Sequence, residues 1–81
     1  MIGQELAEHL IAEEGYRAAR VLPDGTVAAL LDLMFTRAIV LDCNMTGYGN
    51  RFCFEDKTLA DKRFAELVSD EDVPEGFIAR R

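Results

Sequence analysis

Cys43 and Cys53, with nine residues between them in the stretch DCNMTGYGNRFCF (42–54), are the residues whose types most invite chemistry. A structural zinc site needs four ligands, usually as two close pairs. This chain has two Cys, one His and no C-x-x-C, so neither zinc nor a dithiol redox motif is supported. A symmetric hairpin with Gly47, Tyr48 and Gly49 as a three-residue loop, and Gly49 as its left-handed residue, would set Cys43 opposite Cys53. Directly opposed residues hold their Cβ atoms about 4.5–5.5 Å apart, whereas a disulfide wants about 3.8 Å. A bond there would be strained, and in a reducing compartment it stays open. The reading that follows is two thiols packed as small hydrophobes.

The neighbours of the cysteines give the other candidate contact residues. Asp42, Tyr48 and Arg51, with Asn44, fall near one end of the third and fourth strands and could line a small polar site. Asp42 and Asp32 each interrupt an apolar run; an Asp in a half-exposed strand more often faces water than performs catalysis. His9 has no second His to work with, and Ser69, the single serine, has no His near it in sequence, so no triad emerges. GYG is not a channel filter without membrane helices around it. TGYGN lacks the Lys and the following helix of a phosphate loop. No catalytic, cofactor-binding or metal-ligating set is assigned.

These residues need elements to hold them. Leu6, Leu10 and Ile11, with Ile2, form one apolar face and predict a helix over 2–14, closed by Gly15. Pro23-Asp24-Gly25 predicts a tight turn between strands 16–22 and 26–33. A third strand over 36–43 follows a connection around Phe35 and Thr36 that lacks Gly or Pro, and a fourth covers 51–55. Ala60, Phe64, Leu67 and Val68 predict a second helix over about 57–69, capped by Asp56 or Thr58. The order is α-β-β-β-β-α: one α+β domain over 1–81, an antiparallel meander with two helices packed on one face. Residues 70–81 read as a loosely docked tail. In the symmetric register, Ile39, Leu41, Cys43 and Cys53 share one face, and Ala38, Val40, Phe52 and Phe54 the other.

Composition bounds the function. The chain has 81 residues, 49% of them hydrophobic, which suits a single modest core. A net charge of −6 disfavours direct nucleic-acid binding and docking on anionic membranes. The first residues lack a basic n-region, and VAALLDLMF falls short of the ~20 apolar residues of a membrane span, so a cytoplasmic location is expected. Two apolar sheet faces exceed what two helices on one side would cover. The leading expectation is therefore a protein-interaction or regulatory module that forms a homodimer or binds a protein partner through its sheet, without cofactor. The alternatives are a small ligand-binding protein or enzyme using Cys43 or Cys53 with Asp42, and an acidic nucleic-acid mimic that binds a basic protein.

Overall fold

A computed structural model describes residues 3–44 and 46–80. Its elements are α1 (Gly3–Glu13), β1 (Ala18–Val21), β2 (Val27–Asp32), β3 (Arg37–Leu41), β4 (Asn50–Phe54), α2 (Lys57–Glu66) and β5 (Ala79–Arg80). The strands form one antiparallel sheet in the order β1-β2-β3-β4-β5. The α-β-β-β-β-α order holds, and the two-residue β5 adds a fifth strand beside β4. Ile2, placed on the first helix by its spacing, lies outside the described residues.

Local chemistry explains the boundaries. Gly15 takes φ 77° just past α1, a conformation that costs glycine little. Asp24 accepts hydrogen bonds from the Thr26 amide at 3.0 Å and the Thr26 hydroxyl at 2.6 Å, and the Leu22 amide donates to the Thr26 carbonyl at 2.8 Å. This is the Asx-type bonding that makes Pro-Asp-Gly a turn. The Asp56 carboxylate accepts from the Leu59 amide at 3.1 Å and caps α2. That helix ends at Glu66 rather than 69, because Leu67 turns to extended backbone. Val68 therefore leaves the apolar face and is exposed, while Ala60, Phe64 and Leu67 are buried.

The helices do not share a face. Side chains alternate along each strand. Ala28, Leu30, Ile39, Leu41, Phe52 and Phe54 cluster with Ala60, Phe64 and Leu67 of the α2 side. Val27, Ala29, Val40 and Cys43 cluster with Ala7 and Leu10 of α1. Thus α1 lies on β1 and β2 from one side and α2 crosses β2, β3 and β4 from the other. The one-face arrangement is corrected to a three-layer one because β2 and β3 carry apolar residues on both sides, and each side demands cover.

The β3–β4 register also differs from the symmetric hairpin. Cys53 stands opposite Ala38 and Phe52 opposite Ile39. Cys43 lies five positions beyond Ala38 along the chain. An odd shift exchanges the faces of one strand relative to its neighbour. Phe52 and Phe54 therefore join Ile39 and Leu41 in the larger core, and Cys53 falls on the side of Ala38 and Val40.

Candidate functional site

Antiparallel β3 and β4 are joined through this stretch, but with Leu41 opposite Asn50 the connection is longer than a three-residue Gly47-Tyr48-Gly49 loop. Asp42 leaves β3 in the left-handed region, at φ 56°, and redirects the chain. Gly49, expected to hold that conformation, does not have a positive φ; its glycine identity answers a close approach instead. A Cβ there would stand 3.2 Å from Asp42 Cβ and 3.3 Å from its Oδ2. Between them the Asn44 amide donates to the Gly47 carbonyl at 2.9 Å, and Asn44 Oδ1 accepts from the Thr46 amide and hydroxyl, each at 2.8 Å. This small turn lies beside the end of α1: Leu10, Glu14, Tyr16, Asn44, Thr46 and Gly47 enclose a pocket of about 130 Å³.

The two thiols are separate and buried. Cys43 Sγ lies 3.8 Å from the Val40 carbonyl, and burial, aided by the nearby Asp42, pushes the thiol up to about 11. Such a group is overwhelmingly protonated at neutral pH and makes a poor nucleophile. Cys53 is buried across from Ala38. Neither cysteine is bonded to the other, and their paired strands place them out of register. His9 sits 3.5 Å from Glu14. No group of three or more His, Cys, Asp or Glu able to hold a metal occurs among the described residues.

Tyr48 and Arg51 do meet. The Arg51 guanidinium lies over the Tyr48 ring, 6.0 Å from its centroid. Tyr16 joins this side of the sheet. Burial raises its phenol pKa, reinforced by Cys43, Tyr48 and Glu14 and opposed by the positive charge of Arg51. Of the five candidate contact residues, Asp42, Cys43, Tyr48 and Arg51 belong to one neighbourhood, and Cys53 is held further along β4, opposite Ala38.

A second feature was not singled out from sequence. Between Asp32 and Arg37, the Leu33 amide donates to the Thr36 carbonyl at 2.9 Å and closes a four-residue turn. The two residues at its tip, Met34 and Phe35, are 84% and 80% exposed. The base of this turn is fixed by charge. Arg37, itself buried, donates from Nε to Asp32 at 2.7 Å and from Nη1 to both oxygens of Asp61 on α2 at 2.8 and 2.9 Å. Arg17 reaches the other oxygen of Asp32 at 3.4 Å. The Arg37 hydrogen bond, with smaller contributions from the positive charges of Arg37, Arg17 and Lys57, holds the Asp32 carboxyl below its usual range. The signal available in sequence was two large apolar residues where a turn normally places Gly, Asn or Asp.

At the other end of α2, Arg20 Nη1 donates to the carbonyls of Phe64 at 2.8 Å and Leu67 at 3.0 Å, satisfying the orphan acceptors of the helix terminus. The Asp70 amide donates to Asp24 at 3.0 Å, and Phe77 packs on Phe52 with ring centroids 5.1 Å apart. No helix among the described residues is long and apolar enough to cross a membrane. Compared with known proteins, the chain matches no family model, no curated protein and no solved structure.

Proposed function

We propose that this chain is a protein-binding module that inserts the Met34–Phe35 tip into an apolar pocket of a partner protein. The observation that carries this reading is the exposure of both tip residues on a turn whose base is braced by Arg37. Burying a Met or Phe side chain contributes roughly 1.5–3 kcal/mol each, and a braced turn loses little further freedom on binding. Apolar anchors of this kind, surrounded by charged residues such as Asp32, Arg17 and Asp61, have the anatomy of an interface hot spot with a polar rim. A protein rather than a membrane is favoured because the chain carries a net charge of −6.

The sheet faces, the contact surface suggested by sequence, have helices on both sides, so the interaction moves to the tip. A homodimer retains one supporting observation. The Leu22–Thr26 bond and the β1–β2 register turn alternate residues of β1 towards β2 and leave the backbone groups of Ala19 and Val21 facing outward at the sheet edge. Such an edge accepts another strand. Sedimentation of a pure monomer at high micromolar concentration would sink that second reading. The thiol-enzyme reading is weakened by the buried, protonated Cys43, and the nucleic-acid-mimic reading has only net charge behind it.

The tip is tested by placing a photo-crosslinkable residue at position 35 and, as control, at the exposed Glu8 of α1, in an extract of the cells that make the protein. Position 35 is expected to capture a discrete protein that position 8 does not, and capture is expected to disappear when Met34 becomes Ser. Equal patterns from both positions would refute the reading.

A further inference from the structure

Arg51 is out of step with the other arginines whose side chains are described. Arg17 and Arg37 pair with carboxylates, Arg20 binds the carbonyls ending α2, and Arg63 binds Glu66 at 3.0 Å and the Glu75 carbonyl at 3.3 Å. Arg51 has an aromatic ring over its guanidinium and no carboxylate or carbonyl partner among the described residues. Its Nε is shut off from solvent with no acceptor there. A buried donor without an acceptor is costly, more so when it belongs to a charged group. In a chain with fifteen acids against nine bases, this is not for want of carboxylates.

We infer that Arg51 is a receiving site for a carboxylate, with Tyr48 as its cover. The guanidinium fork matches a planar two-oxygen anion, so Nε–H and one Nη–H can be satisfied together. Tyr48 is 39% exposed and belongs to neither core cluster, so its side chain can turn aside without displacing either one. Moving the ring opens the donor that is now sealed. Asn44, Thr46 and Tyr16, which line the adjoining pocket, offer polar groups for the rest of the ligand. The site is on the α1 side of β4 and is independent of the Met34–Phe35 tip.

The test follows the Nε–H signals of the arginines by nitrogen-edited NMR on the intact chain, with Arg51→Lys identifying the Arg51 signal by its loss. Wild type and Tyr48→Ala are titrated with sodium acetate to about 50 mM, above the millimolar affinity a single fork contact supports, against sodium chloride at matched ionic strength. A blocked dipeptide with a free C-terminus replaces acetate in a second series, separating a chain-terminal carboxylate from a small free acid. The expected result is a saturable shift of the Arg51 signal alone, reached at several-fold lower carboxylate in Tyr48→Ala than in wild type. No saturable shift in either protein, a parallel drift of all arginine signals, or the same shift with chloride would overturn the site. Equal responses in the two proteins would overturn the role of Tyr48 as cover.

Discussion

Arg37 on β3 reaches both carboxylate oxygens of Asp61 on α2, at 2.8 and 2.9 Å, from a side chain that is only 10% exposed. The same guanidinium holds Asp32 at the end of β2. One buried cation thus ties the β2–β3 turn to the helix that covers the larger core. Arg37→Met keeps much of the aliphatic stem and removes the charge-assisted bonds. It is expected to lower Tm by about 5–10 °C, the shift that losing one or two such bonds brings to a domain of this size. Asp32 and Asp61 are roughly half exposed and return to water, which keeps the loss below that of a fully buried pair. Thermal denaturation followed by circular dichroism measures it, and an unchanged Tm would show that the bonds do not brace the turn.

The acid side of the stability curve carries opposing signs. Asp24, held down chiefly by its hydrogen bonds from Thr26, and Asp32, held down chiefly by Arg37, both titrate below the ordinary 3.8 when folded. Their contribution is complete above the unfolded value and is lost as pH falls through the lower folded values. Urea midpoints are therefore expected to fall in that range, and Arg37→Met should flatten the Asp32 share of the fall.

Asp70 behaves in the opposite way. Desolvation first, then the charges of Asp24, Asp42 and Glu71, raise its folded pKa above 3.8. Its ionisation weakens the fold as pH rises through that raised value. Asp70→Asn keeps the backbone amide bonded to Asp24 and is expected to raise the neutral-pH urea midpoint, with a smaller effect in acid where Asp70 is already protonated. A lowered midpoint at neutral pH would contradict the assignment.

The thiols are expected to be inert in the folded chain. With Cys43 pushed up to about 11 and Cys53 buried opposite Ala38, labelling by a disulfide reagent at neutral pH should be slow and should accelerate sharply on denaturation. Mild oxidation should not produce the two-dalton loss of a disulfide, because the strand register does not oppose the two residues. A two-dalton loss would contradict the observed β3–β4 pairing.

Much of the fold was legible in sequence because local signals agreed with it. The Pro23-Asp24-Gly25 turn, the Gly15 stop and the Asp56 cap each act through their own backbone, and each is found where its chemistry placed it. What escaped was non-local. The spacing of Cys43 and Cys53 fitted a symmetric hairpin, but a left-handed Asp42 ended β3 early and shifted the pairing by an odd number of residues. That shift moved Phe52 and Phe54 to the other face, and with them the apparent need for an uncovered apolar sheet. Two helices on opposite sides meet the burial demand that one-sided helices could not. Tyr48 and Arg51 were legible as neighbours by proximity in sequence; the Arg37–Asp61 link, 24 residues apart, was not.

Partner binding is expected to depend on Met34 and Phe35. Once a partner is captured at position 35, its affinity is measured by calorimetry for wild type, Phe35→Ser and a Glu8→Ser control, with Tm recorded for all three. The substitution at 35 is expected to weaken binding by about thirtyfold or more, the loss typical of a buried hot spot, while Tm stays within the small change usual for a surface site. Equal affinity for wild type and Phe35→Ser would contradict the account.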